Sequence, residues 1–512
     1  MVALFDLLSR GYFPKELPPC FSTTGFAAIA ASGSLPPAGS WKAKLARHSL
    51  ARTGRIRREL GVPNPANYLG LSCEIAANWS RLTAYYARSP MSRSVPTVGG
   101  PDDLRSVVPS LGTSSIAEQR VIERTSAAYV LKADIAGYYG SIYTHSIPWA
   151  LEGKAIAKAN HSDTLLGNRL DRYARNAQDQ QTLGLPIGPD ASYILAELIG
   201  TALDLALIQR LGRTPAGFRF YDDFEISCSS SHDAERVRDA LQETLRDYEL
   251  QPNANKTRIE VMPGRLELAW VGRIRRFAFS QPATRSELLA FFDLAFALAH
   301  ENPEQLVVPY AMRRLHSVHV PPVDHEVLLR LLVQAVLADA SSIMDFLRAV
   351  TALAEETGWV IDRDLIAEAI NLVIERSGNR GHGNEVAWAL WGALAFEIDV
   401  LAPACRVLQS LDDPFVALLA LDARRQKRLV ALDVSRWKTR LVAGELFGEH
   451  WPLVYESLCH GFLRPTGGGD PVASDPFFLA LRASGVRFYE PVQPATEVPE
   501  DYEDLTPDTV SR

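Results

Sequence analysis

Residues 218–226 read FRFYDDFEI. Apolar and aromatic residues alternate on both sides of two adjacent aspartates, Asp222 and Asp223, which is typical of a buried strand or a tight hairpin. A carboxylate buried without a partner costs on the order of several kcal/mol, and two adjacent ones cost more. The stretch therefore predicts that a partner outside this strand neutralises both aspartates.

A hard divalent cation is the partner that this pattern favours. Magnesium prefers oxygen ligands and typically takes one or two carboxylates together with substrate phosphates. A third carboxylate would complete a two-metal site for phosphoryl transfer. The segment VLKADI supplies Asp134, which ends an apolar strand just before a glycine turn. The sequence thus predicts Asp134, Asp222 and Asp223 as ligands of Mg²⁺ or Mn²⁺, whereas the plainer interpretation is an acidic hairpin turn without a metal.

The order of the segments around these aspartates resembles that of a reverse transcriptase palm. The matching stretches are ADIAGYYGSI (133–142), GLPIGPDASYILAEL (184–198), FRFYDDFEI, NANKT (253–257) and, as the primer-grip β-hairpin, LAWVG (268–272). In the fingers, IRRELGVPNP (56–65) resembles the segment that touches the incoming triphosphate. The resemblance covers residues 50–280 and implies a DNA polymerase that uses deoxynucleoside triphosphates.

Two further segments narrow the resemblance to the bacterial abortive-infection reverse transcriptases of the AbiK type. These are YTHSIPWALEGK (143–154) and DPFFLALRASGVRFYE (475–490). Members of that family join the palm to an α-helical domain in place of an ordinary thumb. The resemblance implies antiphage defence, DNA synthesis without a conventional template, and priming from the protein itself with a covalently attached DNA product. It also implies assembly into a homo-oligomer.

The predicted fold class is α+β: the fingers and palm of a right-hand polymerase (the reverse transcriptase fold), followed by an all-α domain of HEAT-like helical repeats. Residues 1–125 are predicted as an irregular N-terminal arm and the fingers, and residues 126–284 as the palm. Helical spacing of apolar residues predicts an α-helical domain over 285–489. Seven acids and one base in 490–512 predict an acidic disordered tail.

The resemblance also assigns roles to residues around the metal. It makes Asp134, Asp222 and Asp223 catalytic metal ligands, and Asp223 contributes the least directly of the three. It also adds the Ile135 carbonyl as a backbone ligand of the metal. Lys256 in NANKT matches a residue that protonates the leaving pyrophosphate, which is a general-acid role. A surface lysine that closes a turn is the alternative interpretation of Lys256.

On the nucleotide side, the resemblance points to five residues that bind the deoxynucleoside triphosphate. Tyr139 matches the steric gate, where a bulky ring excludes a ribose 2′-hydroxyl. Arg57 and Arg58 match the fingers residues that grip the triphosphate, since a guanidinium binds phosphate through paired donors. Pro186 and Gly188 lie where the backbone approaches the nucleotide. A core tyrosine and a plain basic surface remain the alternatives for Tyr139 and for the two arginines.

Three features bear on how the enzyme would copy or prime. Ile187 stands where many template-dependent relatives carry glutamine, which argues against ordinary template-guided synthesis. His145 and Trp149 follow the predicted strand that ends at Asp134. They either pack in the core or contact the primer or product. Protein priming needs a hydroxyl that reaches the metals. The sequence does not choose among its 16 tyrosines, which include Tyr12, Tyr143, Tyr173 and Tyr502.

Composition and charge indicate a cytoplasmic globular protein. Of 512 residues, 47% are hydrophobic and 22% charged, and no apolar run reaches the roughly 18–20 residues of a membrane span. The first residues lack a basic leader, so we expect no signal peptide. Five cysteines without CxxC spacing favour a reducing compartment. The net charge of −7 lies mostly in the acidic tail, whereas residues 42–58 hold seven Lys or Arg and no acid, which indicates a polyanion footprint or a solvated face.

Three functions are consistent with this sequence. The first is a Mg²⁺-dependent DNA polymerase in phage defence, template-independent and protein-primed. The second is a conventional RNA-templated reverse transcriptase of a mobile element, for which RNA would be a partner. The third is a nucleic-acid-binding sensor with an inert palm. The complete set of three aspartates favours an active enzyme, because an inert palm is free to lose its costly acids.

Overall fold

The computed structural model describes residues 2–36, 42–53, 56–355 and 362–494. Strands lie in the first half of the described chain, and the regular elements described beyond residue 261 are α-helices and short 3₁₀-helices. The predicted α+β class and the helical C-terminal region are therefore confirmed. Most of the predicted acidic tail, from residue 495 onward, lies outside the described residues.

Eight β-strands form three separate sheets in the described residues. They are β1 (Ala46–Ala51), β2 (Arg57–Val62), β3 (Pro96–Val98), β4 (Val107–Pro109), β5 (Tyr129–Asp134), β6 (Ala216–Phe220), β7 (Asp223–Cys228) and β8 (Arg258–Val261). Strands β1 and β2 form one antiparallel pair, and β3 and β4 form another. The other four make an antiparallel sheet in the order β6-β7-β5-β8. The strands that carry Asp134 and Asp223 are therefore neighbours at the centre of this sheet.

The described helices fall into two groups, on either side of residue 284. The first group is α1 (Leu4–Ser9), α2 (Thr24–Ala31), α3 (Pro65–Ala77), α4 (Trp79–Tyr86), α5 (Ile116–Arg124), α6 (Tyr138–Ser141), α7 (Ser146–Glu152), α8 (Lys154–Ala159), α9 (Leu166–Asn176), α10 (Asp190–Leu211), α11 (Ser231–Asp247) and α12 (Ala269–Arg275). The second group is α13 (Arg285–Glu301), α14 (Val307–Arg314), α15 (His325–Ala338), α16 (Ile343–Glu355), α17 (Arg363–Gly378), α18 (Gly383–Ala395), α19 (Ala402–Leu408), α20 (Pro414–Arg425), α21 (Ser435–Lys438), α22 (Trp451–His460) and α23 (Pro476–Ala483).

The stretch FRFYDDFEI forms a β-hairpin with a two-residue turn. Strand β6 ends at Phe220, β7 begins at Asp223, and these residues pair across the turn made by Tyr221 and Asp222. Tyr221 has a φ of 55°, in the left-handed region that a tyrosine rarely adopts. Strained backbone thus lies at the turn that carries the two aspartates, and such strain is concentrated at functional sites in proteins.

Helix α10 is a core helix of the N-terminal half. Among the described helices it is the one long and apolar enough to cross a membrane, but 83% of the apolar window is buried inside the fold. Its apolar run is interrupted by Glu197 and Asp204, which bind the fully buried Arg219 of β6. Buried charges that pair with a neighbouring strand fit a helix that packs inside a folded domain.

The N-terminal segment, residues 2–36, contains helices and joins the two halves of the protein. Helix α1 packs on α2 and on α3. Tyr12 stacks on Tyr68 with 4.2 Å between ring centroids, and Phe26 packs on Phe488 at 5.5 Å. The prediction of an irregular arm is wrong, because the apolar side chains of this segment find partners that are distant in sequence and leave no local period.

The segment LAWVG is a helix and not the predicted primer-grip β-hairpin. Helix α12 begins after Leu268 and packs on α13 and α14. Trp270, Val271 and Ile274 are buried, and Trp270 meets Tyr310 of α14 edge-on at 5.3 Å. Apolar residues three and four positions apart share one face of a helix, so contact with the helical region favours a helix here over a hairpin.

The helical region from α13 to α20 is a stack of helix pairs. Helices α13 and α14, α15 and α16, α17 and α18, and α19 and α20 pack as consecutive pairs, and each of α13 to α18 also packs on the helix two positions further along. Such nearest-neighbour packing is typical of helical repeat proteins. The stack touches the β1–β2 hairpin through α18 and α20, so the helical region borders the predicted fingers.

Candidate active site

One cavity of about 660 Å³ contains most of the predicted site residues on its walls. The walls come from the N-terminal segment, the β1–β2 hairpin, the end of β5, the β6–β7 turn and the loop before α10. Nine of the ten predicted residues line it, and Asp223 is the exception. Segments from Lys15 to Lys256, about 240 positions apart in the chain, therefore meet in one place.

Asp134 lies at the floor of this cavity with both carboxylate oxygens engaged. It is 6% exposed. Its Oδ1 accepts a hydrogen bond from Asn253 Nδ2 at 2.8 Å, and its Oδ2 contacts Lys256 Nζ at 2.9 Å. The Asn253 backbone N–H also donates to the Asp134 carbonyl at 2.7 Å. The segment NANKT thus folds back onto the end of β5 and brings Lys256 to Asp134.

The other two aspartates adjoin Asp134 through the register of the sheet. Asp223 is the cross-strand partner of Asp134. Directly opposite residues share one face of a sheet, with Cβ atoms roughly 4.5–5.5 Å apart. Asp222 lies in the turn and lines the cavity, and its carbonyl accepts a hydrogen bond from the Ile135 N–H at 3.2 Å. Asp134, Asp222 and Asp223 therefore lie at the same end of the central sheet, whereas their convergence on one metal ion stays a prediction.

The donor set suits a hard divalent cation, although the carboxylates do not form a closed metal site in this structure. In the part of the chain that the structure describes, no three carboxylate, imidazole or thiol groups are arranged to hold one ion. Lys256 provides the positive charge beside Asp134 instead, and its side chain is 41% exposed. A cation shared by Asp134 and Asp222 would replace this ammonium group, which has room to move aside. The metal ligands stay a prediction.

A buried ion-pair network holds the β6–β7 turn from behind. Arg219 Nη1 donates to the Tyr221 carbonyl at 2.8 Å, and the Tyr221 N–H donates to Ser94 Oγ at 2.7 Å. Arg219 binds Glu197 at 2.7 Å and Asp204 at 2.8 Å, with all three side chains almost fully buried. Burial alone would lower the pKa of Arg219, but the two carboxylates raise it well above its usual value. This network fixes the strained turn.

The residues of this network were not predicted from the sequence. Arg219 sits in an apolar strand, and Glu197 and Asp204 sit seven positions apart, which is two turns of the apolar helix α10. Charged residues on one face of an otherwise buried helix are the signal that could have revealed them. Gly200 of α10 leaves room for the guanidinium, because a Cβ there would lie 2.6 Å from Arg219 Cζ.

Arg57, Arg58 and Tyr139 all line the cavity, but the guanidinium of Arg57 is already paired with a carboxylate. Arg57 donates to both carboxylate oxygens of Glu385 in α18, at 2.6 and 2.7 Å. Burial and the nearby charge of Arg52 lower the pKa of Arg58, and its buried Nε has no hydrogen-bond partner among the described residues. Arg52 lines the cavity too and was not singled out from the sequence. Arg58 and Arg52 are thus better placed than Arg57 to contact a phosphate group.

Tyr139 stands in the cavity wall near the β6–β7 turn. Burial raises the pKa of its phenol well above the usual value, and the neighbouring Tyr221, Tyr138 and Asp222 add to the shift. The ring is half-buried, and it meets Tyr138 edge-on at 5.9 Å between centroids. This position beside Asp222 is compatible with the predicted steric gate.

The loop that carries Pro186 and Gly188 is held between the fingers hairpin and the N-terminal segment. The Gly61 N–H of β2 donates to the Ile187 carbonyl at 3.0 Å. Gly188 has a φ of 125°, and a Cβ there would lie 2.6 Å from Pro14 Cγ. The N-terminal segment therefore covers the loop at Gly188.

Of the tyrosines considered for priming, one is buried and does not line the cavity, and another lies outside the described residues. Tyr12 is fully buried, and its hydroxyl donates to the Pro63 carbonyl at 2.6 Å. Tyr502 lies outside the described residues. The five cysteines are free thiols.

No protein-family model matches the chain, and no curated protein matches it.

Proposed function

We propose that this protein is a Mg²⁺-dependent nucleotidyltransferase with a reverse transcriptase palm, which adds deoxynucleotides to a DNA strand. The observation that carries the proposal is the register of the central sheet, which pairs Asp134 with Asp223 and sets Asp222 in the adjoining turn. An antiparallel four-stranded sheet with α11 packed on β5 and β7 supports the palm of a right-hand polymerase.

Different residues of the cavity serve different steps of nucleotide addition. A terminal hydroxyl gives up its proton to solvent and its oxygen attacks the α-phosphorus, which forms the new ester bond and breaks the bond to the leaving pyrophosphate. Arg58 binds the triphosphate, since a guanidinium offers paired donors to phosphate oxygens. Lys256 moves away from Asp134 and gives its proton to the leaving pyrophosphate. Asp134, Asp222, Asp223 and the Ile135 carbonyl would hold Mg²⁺, which would neutralise the charge on the attacking and leaving oxygens.

Synthesis without a template is supported by the loop before α10. Pro14 covers Gly188, and Ile187 replaces the glutamine of many template-dependent relatives. Together with the resemblance to the AbiK type, these features support protein-primed synthesis in antiphage defence, with the DNA product attached covalently. The same resemblance supports a homo-oligomer that works in the cytoplasm.

An inert palm that binds nucleic acid is the second candidate function. It is favoured by one observation, the engagement of both Asp134 oxygens by Asn253 and Lys256. A conventional RNA-templated reverse transcriptase remains the third.

One assay separates the three functions. Purified protein receives Mg²⁺ and labelled deoxynucleoside triphosphates, without template or primer. The proposal predicts labelled DNA that migrates with the protein in a denaturing gel and is released by DNase. Product that forms only after addition of an RNA template and primer would identify the conventional enzyme. Retained nucleic-acid binding without product under either condition would identify the inert palm.

A further inference from the structure

The segment YTHSIPWALEGK begins at the rim of the cavity. Tyr143 pairs with Leu183 through an isolated β-bridge, and the Gly184 N–H donates to the Ile142 carbonyl at 2.7 Å. Leu183 and Gly184 line the cavity, and Leu183 is 61% exposed. A chain that leaves the cavity over Leu183 would therefore meet Tyr143 next.

The aromatic rings of this segment form a fixed platform. Tyr143 meets His145 at 5.0 Å and Trp149 at 5.6 Å between ring centroids. The His145 side chain is 37% exposed, and its Nδ1 lies 2.8 Å from the buried Asp171 carboxylate. Arg175 binds the same carboxylate at 3.1 Å. Tyr143 and His145 thus present part of their surface to solvent while the contacts behind them hold them in place.

Two lysines of α8 extend the platform with positive charge. Lys154 Nζ lies 4.2 Å from the Trp149 ring and donates to the Asp247 carbonyl, and Lys158 Nζ lies 5.7 Å from the same ring. Both lysines are exposed, and neither forms an ion pair with a carboxylate of the described residues. Helix α8 carries no acid. Its charge is therefore available to an anion.

We propose that Tyr143, His145, Lys154 and Lys158 form an exit strip that binds the single-stranded DNA product as it leaves the cavity. The proposal rests on the proposed function, because it takes the strand to be the product. Sequence-tolerant binding of single strands combines aromatic rings, on which bases stack, with cations that follow the phosphates. The strip has both, and it is continuous with the cavity. A duplex fits less well, since its base faces are stacked on one another and cannot reach the rings.

The test measures binding of fluorescein-labelled oligo(dT) of 15 nucleotides by fluorescence anisotropy, without Mg²⁺ or nucleotides. We expect Lys154→Ala/Lys158→Ala to weaken binding about tenfold and to reduce the slope of log K against log salt by about 1.4, which corresponds to two lost phosphate contacts on a single strand. Tyr143→Leu should weaken binding at least about fivefold with an unchanged salt slope, because it removes stacking and no charge.

The control is Arg424→Ala/Lys438→Ala, which removes two exposed charges from the helical region. This control should bind like the unmodified protein. Equal Kd and equal salt slope for the α8 variant and the control would overturn the exit strip. Circular dichroism melting of each variant identifies any loss of fold, and Tyr143→Phe, which keeps the ring, should retain binding.

Failure of the exit strip can be told apart from failure of the proposed function. The anisotropy assay needs no synthesis, so it also reports on a protein that does not polymerise. In the synthesis assay, the α8 variant should still start chains but make shorter products, since the strand is released earlier. Normal product length would contradict the exit strip while leaving the polymerase intact.

Discussion

At the scale of single residues, the site depends on how the charge of Asp134 is balanced. Asp134 is buried, and Lys256 and Asn253 bind its two oxygens. The Lys256 side chain is the exposed member of this group. It can therefore exchange Asp134 for a phosphate oxygen without disturbing the buried sheet. One lysine would in this way serve both the stability of the resting site and proton transfer to the leaving group.

Tyr139→Ala tests the selection of the sugar. Removal of the ring from the cavity wall should admit ribonucleotides, because the proposed steric gate would be gone. The ratio of kcat/KM for dATP to that for ATP should fall at least about tenfold, measured by incorporation of labelled nucleotide. Tyr139→Phe should keep the preference. An unchanged ratio for Tyr139→Ala would make it an ordinary packing residue.

Arg219→Ala tests the buried ion-pair network behind the β6–β7 turn. It would leave Glu197 and Asp204 buried without a cation, held only by serine hydroxyls, which should lower the free energy of unfolding by about 3–5 kcal/mol. Urea denaturation measures this difference. Arg236→Ala is the control, since this arginine is 51% exposed and its pairing with Asp233 is worth no more than about 1 kcal/mol. Similar losses for the two variants would mean that the buried network contributes little.

At the scale of elements, the N-terminal segment and the loop before α10 depend on one another. Gly188→Ala would place a methyl group against Pro14 and force an alanine into a φ of 125°. We expect stability to fall by about 1–3 kcal/mol and nucleotide incorporation to decrease with it. Gly25→Ala in α2 is the control, because a Cβ there meets open space. A Gly188→Ala protein as stable as the control would show that the segment does not press on the loop.

The contact between the β1–β2 hairpin and the helical region should depend on pH. His48 Nδ1 lies 2.7 Å from the Asp413 carboxylate, and its Nε2 lies 3.2 Å from Asn384 Oδ1. Burial would lower the pKa of His48, but Asp413 outweighs burial and raises it. A raised pKa in the folded protein means that this stabilisation is complete below about pH 6.5 and is lost as pH rises through the folded value.

Urea unfolding between pH 6 and 9 measures this effect. The stability difference between the unmodified protein and His48→Gln should be largest at pH 6 and should shrink toward pH 9. His161→Gln removes an exposed histidine and serves as the control. A difference that stays constant over the whole range would exclude a charged His48 in the folded state.

Elements with a strong local pattern could be predicted, and those shaped by distant contacts could not. The alternation in FRFYDDFEI and the helical spacing in α10 matched the structure, because strand and helix periods are local properties. LAWVG became α12 since its apolar side chains pack on α14, and the N-terminal helices gain their partners from residues such as Tyr68 and Phe488. Such partners are invisible in a single sequence.

At the scale of the whole molecule, the helical region forms part of the site's surroundings. Glu385 of α18 binds Arg57 of the fingers hairpin, and Trp388 Nε1 donates to the Glu16 carbonyl of the N-terminal segment at 2.8 Å. Both Arg57 and Glu16 line the cavity. The position of Asp134 near the YDD turn was predictable from the order of segments. The ion pair between Arg57 and Glu385 of the helical region was not predictable, because it depends on how the two halves of the protein pack together.

The most direct test of the central claim is incorporation of labelled dATP in Mg²⁺ by the Asp222→Asn protein. The account predicts no incorporation above background and an equal or higher melting temperature, because the change removes a carboxylate from a group of like charges. Asp239→Asn, which alters an exposed aspartate of α11, should incorporate nucleotide like the unmodified protein. Incorporation by Asp222→Asn at the unmodified rate would contradict nucleotide addition at these aspartates.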